Sequence, residues 1–116
     1  MSDNDRVVPD NVWKYADIPP VDKIFSFEVE VHKVFVELEN LLLSKHQRYG
    51  PKNISGAPGG PENGLKVRMW DKLARLNNLL EHPNVDPLDE SFTDTLKDLA
   101  NYAVIFMLVR DGKWPE

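Results

Sequence analysis

Glu90, Asp94 and Asp98 recur at four-residue spacing, and Asn101 and Tyr102 follow one turn further on. On an α-helix, residues four apart lie above one another on the same face, so these carboxylates form a stripe roughly three turns long. Like charges at that spacing repel. The stripe is therefore either a solvated acidic face or a set of oxygen donors for a hard cation. Magnesium or manganese suits the second reading, because such ions take a few carboxylate oxygens and complete their shell with waters and substrate phosphates. Lys97, the one lysine inside the stripe, points to a different side of the helix.

A second constellation has the opposite sign. Lys66, Arg68, Lys72 and Arg75 fall within one short stretch, and Arg68, Lys72 and Arg75 share a helical face that Asp71 borders. These bases could pair with the acids of the first constellation in a salt-bridge seam. They could equally hold the phosphates of a nucleotide, with arginine suited to bidentate contact and lysine to a point charge. The two uses are compatible.

The third group is Lys45, Tyr49 and Asn53, placed around Gly50, whose freedom of backbone angle allows a sharp turn. Their donors, acceptors and ring are of the kind that read a base or a ribose. His46 and His82 have no partner at metal-ligand spacing and are expected at the surface. Nothing points to nucleophilic catalysis. The chain lacks cysteine, a Gly-x-Ser-x-Gly turn and a Gly-x-x-x-x-Gly-Lys phosphate loop, so any chemistry is expected to be metal-assisted.

These residues need a scaffold, and the apolar spacing predicts one built from three main helices. Helix A is expected from about Ile24 to Arg48, where Phe27, Val31, Val34, Leu38, Leu41 and Leu42 recur at helical intervals. Phe25, Phe27, Val29 and Val31 also alternate as a strand would, but the helical pattern continues through Leu42. Residues 49–64 are dense in Gly and Pro and read as a long loop, a candidate lid over a ligand. Helix B is expected from Leu65 to Leu80, with Leu65, Met69, Leu73, Leu76 and Leu80 on one face, and a turn follows over His82 to Glu90. Helix C should start near Asp89 or Ser91 and end by Asp111, with Gly112 in a left-handed cap.

From Ala103 to Val109 helix C is apolar almost all round, which demands burial on every side. Three helices can hardly surround it. A homodimer or homotetramer is expected, its subunits completing four-helix cores. Residues 1–21 contain Pro9, Pro19 and Pro20 and read as an extended arm, with Trp13 and Tyr15 packing back or reaching a partner; residues 22–116 form the helical domain.

The 116 residues suffice for one modest core, and the absence of cysteine leaves packing to hold it. The longest apolar run is far shorter than the ~20 residues of a membrane span, and the first residues are polar, so a cytoplasmic protein with no membrane partner is expected. The net charge of −5 argues against a polymeric nucleic acid as partner, but not against a small nucleotide.

Taken together, K-x-x-x-Y-G-x-x-N from Lys45 to Asn53, R-x-x-D-K-x-x-R-L-x-x-L from Arg68 to Leu79 and E-S-x-x-D-T-L-x-D-L-A-N-Y from Glu90 to Tyr102 resemble the nucleotide modification associated domain 1 family. That family is common in phages and is similar to the MazG-like, all-α nucleoside triphosphate pyrophosphatases. The resemblance implies a magnesium- or manganese-dependent enzyme that cleaves a (d)NTP to the monophosphate and pyrophosphate, in phage nucleotide metabolism and hence in the host cytoplasm. It implies a catalytic and metal-binding role for Asp94 and Asp98, with Asp71 or Glu90 supplying further ligands. Arg68, Lys72 and Arg75 would then neutralise the triphosphate. Helix B has Asp71 where MazG-like proteins carry a Glu-Glu-x-x-Glu cluster. That leaves open a single-metal enzyme or a protein that binds nucleotides without cleaving them, such as a sponge for a nucleotide signal or a modulator.

Overall fold

In a computed structural model of the chain, residues 26–115 are described, and they are helical with no strand among them. The arm expected over residues 1–21 lies outside the described residues. Contacts divide the chain into residues 1–36 and residues 37–116. The first unit contributes the opening turns of helix α1, Phe27–Tyr49, where Lys33 pairs with Glu30 one turn earlier at 3.3 Å.

The second unit holds the rest of α1, a short α2 (Lys52–Ser55), α3 (Pro61–Glu81), a 3-10 turn (Pro83–Val85) and α4 (Glu90–Arg110). α3 packs chiefly on α4, and α2 on α3. Ile54, Leu65 and Ile105, one residue from each of α2, α3 and α4, form the buried centre, flanked by Leu42, Tyr102, Phe106, Val109 and Trp114.

The expected loop of residues 49–64 is shorter than its composition suggests. Ile54 anchors a single helical turn in it, and α3 already begins at Pro61, because proline at a first helical position loses no hydrogen bond and brings its angle ready-set. Gly64 is thus a helical residue. A Cβ there would stand 2.6 Å from that of Ala57, so the missing side chain lets α3 lie against the loop. Gly50 turns with φ +74° and Gly112 with φ +68°, both in the left-handed region expected of them.

The start of α4 is capped from a distance. Asp86 accepts from the backbone N–H groups of Ser91 (3.3 Å) and Phe92 (3.0 Å), which would otherwise be unpaired at the helix start. Asp89, just ahead of the helix, sits at φ 56°.

Two apolar faces are not covered within the described residues. On α3, Leu65 and Leu76 are buried, but Leu73 and Leu80 of the same predicted stripe are exposed, as is Trp70. On α4, Ile105 is buried, whereas Val104 and Met107 are exposed, so the all-round burial expected of residues 103–109 is not met inside this chain.

Candidate functional site

Helical periodicity aims one row of side chains from each of three helices at a common cleft. α1 supplies Leu42, Lys45, His46 and Tyr49; α3 supplies Arg68 and Lys72; α4 supplies Asp98, Asn101, Tyr102 and Ile105. Asn53 and Ile54 of α2 and Trp114 complete the lining, and the cleft measures about 440 Å³. That is ample for a small ligand.

Asp98 is the electrostatic centre. Lys45 Nζ donates to its Oδ1 at 2.7 Å, and Lys72 Nζ lies 3.2 Å from its Oδ2, so each carboxylate oxygen has its own ammonium group. The side chains of Asp98 and Lys72 are less than one-fifth exposed. Burial by itself would raise the Asp98 pKa. The hydrogen bonds and charges of Lys45 and Lys72 reverse that and hold the carboxyl below its ordinary value.

The other polar groups are fixed by the backbone. Arg68 Nη2 donates to the carbonyl of Asn53 at 2.8 Å, holding the guanidinium at the cleft and tying α3 to α2. Asn101 is buried and donates through Nδ2 to the carbonyl of Leu38 at 3.1 Å. Trp114 Nε1 donates to the carbonyl of Pro51 at 3.1 Å, and its ring meets the His46 ring edge-on with centroids 5.1 Å apart. Tyr49 is exposed, and the Arg48 guanidinium lies 5.6 Å from its ring centre.

Eight of the predicted site residues therefore converge: Lys45, Tyr49, Asn53, Arg68, Lys72, Asp98, Asn101 and Tyr102. Asp71, Arg75, Glu90 and Asp94 do not line the cleft and are exposed. The acidic stripe is divided, with its first two members facing solvent and Asp98 turned into a cationic wall. His82 is exposed as expected, its Nδ1 3.0 Å from the Asn78 carbonyl. His46, also expected at the surface, is half-buried instead, because it shares the α1 face of Leu42, Lys45 and Tyr49; its buried Nδ1 has no hydrogen-bond partner among the described residues. Trp114 escaped the sequence reading altogether, since no periodic pattern links it to the helices it packs on.

A magnesium or manganese ion needs several oxygen donors at once. Among the described residues no three Asp, Glu, His or Cys side chains converge on a point that could hold one, and the single carboxylate of the cleft is engaged by two lysines. The donors among the described residues do not by themselves fit a metal site. What they fit is an anion, with three cations and one carboxylate on the same wall.

No helix among the described residues is long and apolar enough to cross a membrane. No protein-family model matches the chain, and no curated protein or solved structure matches it.

Proposed function

We infer that this protein binds a nucleotide in the cleft between α1, α3 and α4, with its phosphates toward Lys45, Arg68 and Lys72. The observation that carries this reading is the convergence of three cations with tyrosines and two asparagines in one cleft. Phosphate calls for fixed positive charge. A base and ribose call for an aromatic surface and amide groups, and Tyr49, Tyr102, Asn53 and Asn101 offer both. The resemblance to nucleotide modification associated domain 1 proteins supports the same ligand class. A panel of dNTPs, NTPs and signalling nucleotides, measured by calorimetry, tests it. Binding should appear for at least one of them and disappear in Arg68→Ala, and a panel without any binding would refute it.

The resemblance supports a second reading in which the bound (d)NTP is cleaved to the monophosphate and pyrophosphate, in phage nucleotide metabolism in the host cytoplasm. Asp98 is the acid that this reading shares with the cleft. Pyrophosphate release from the same panel with magnesium or manganese, abolished by Asp98→Asn, would establish it. Binding without release favours the sponge or modulator.

A homodimer or homotetramer belongs to the proposal as well. Leu96, Ala100, Ala103 and Met107 follow one another at intervals of four, three and four residues on α4, a spacing suited to a helix-helix seam, and Leu96 and Met107 are exposed. Sedimentation at micromolar concentration should give a multiple of the 13.3 kDa chain mass. Met107→Glu should return it to the monomer.

A further inference from the structure

Asp98 differs from every other acid of the chain proposed for the site: each of its two oxygens already faces a lysine ammonium group at hydrogen-bond or ion-pair distance. To ligate a cation it would have to release both lysines, and among the described residues no second and third acidic side chain stands ready to share the ion. The arrangement suits an anion far better. Lys45 from α1 and Lys72 from α3 reach the two oxygens of one planar anionic group, which is how two lysines would grip two oxygens of a phosphate. Arg68 is held at the same cleft by the Asn53 carbonyl.

Resting on the nucleotide-binding reading above, we propose that Asp98 is an internal stand-in for the ligand's phosphate, competing with it for Lys45 and Lys72, so that the cleft takes the phosphate as a bare anion without a divalent metal. Asp98 has two opposing effects on a ligand. It keeps the two ammonium groups from repelling each other and holds them in place, which prepares the site. It also puts a negative charge within a few ångströms of the incoming phosphate. On this proposal the second effect dominates, because an amide at position 98 can still accept from the ammonium groups while removing the opposing charge, and Lys72 is packed among its neighbours with its side chain 17% exposed. Repulsion between two anions in a half-buried cleft is also much less screened than in water. The carboxylate is thus a brake on affinity. It selects ligands with enough negative charge to displace it, a phosphorylated nucleotide over the bare nucleoside.

Calorimetry on the full chain with dATP and with inorganic pyrophosphate, each in magnesium and in EDTA, tests this. Wild-type protein should bind in EDTA at least as tightly as in magnesium. Asp98→Asn, which keeps the shape and removes the charge, should bind about tenfold more tightly, and Lys45→Gln about tenfold more weakly. Binding that requires magnesium, or that Asp98→Asn abolishes, would overturn the proposal while leaving nucleotide binding intact. Failure of all three proteins to bind either probe in either buffer, together with a nucleotide panel that shows no binding, would remove the nucleotide reading as well. The comparison of EDTA with magnesium uses unaltered protein, so it decides whether the phosphate is taken without a metal even if a variant fails to fold, and circular dichroism of Asp98→Asn shows whether its affinity reports on the charge.

Discussion

The two ends of the acidic stripe on α4 share residue type, helix and spacing, yet they occupy opposite environments. Glu90 and Asp94 are exposed, with Glu90 in the first turn of α4. Asp98, one turn beyond Asp94, is pinned between Lys45 and Lys72, and Asn101 just after it is buried against the backbone of α1. Periodicity determines which side of a helix a residue takes. It does not determine how far along that side a neighbouring helix extends. Here α1 and α3 bring their cations to the level of Asp98, and the two acids nearer the start of α4 are left in water.

Substitutions along α4 can break or sharpen this contrast. The largest effect is expected at Asn101. Replacing it with alanine removes the side-chain donor that ties α4 to the Leu38 carbonyl and opens a gap in a buried position, which should cost about 2 kcal/mol of stability in chemical denaturation. Next comes Asp86→Ala, which uncaps α4 and should cost about 1 kcal/mol with no change in ligand affinity. An Asp86 variant that lost affinity would mean that the capped end of α4 contributes to the site after all.

A smaller effect is expected from acid. Because the folded-state pKa of Asp98 lies below its unfolded value, the protein binds fewer protons there when folded. Its contribution to stability should be complete above the ordinary carboxylate range, near pH ~4, and should be lost as the pH falls through the lowered value. Urea titrations at stepped pH should show wild type losing this increment and Asp98→Asn lacking it throughout. The smallest effect belongs to Asp94→Asn, which should change stability by less than about 0.5 kcal/mol and leave binding untouched. A large loss of binding in that variant would reunite the stripe.

The helices themselves were legible in the sequence, since their apolar spacing is a local property. α3 and α4 lie close to where periodicity put them, and Gly50 and Gly112 turn as their type allows. The first turn of α3 was hidden by Pro61 and Gly64, which read as loop residues although one starts the helix and the other lets it pack closely. The site was legible as a set of residue types but not as a geometry. Lys45, Arg68, Lys72 and Asp98 were all identifiable; that Asp98 would meet the lysines rather than Glu90 and Asp94 depends on the relative heights of three helices, which no local pattern encodes. His46 and Trp114 needed the same information.

The contacts that close the cleft join residues far apart in the chain: Lys45 to Asp98 across 53 positions, and Asn101 to Leu38 and Trp114 to Pro51 across 63 each. The individual helices can form early, from near-neighbour interactions, but none of these three links exists until α4 and the residues after it have docked on residues 38–51. Ligand recognition should therefore appear late in refolding, after most helical circular dichroism has returned. Clipping the chain just before Trp114 should harm the cleft far more than its small loss of mass suggests.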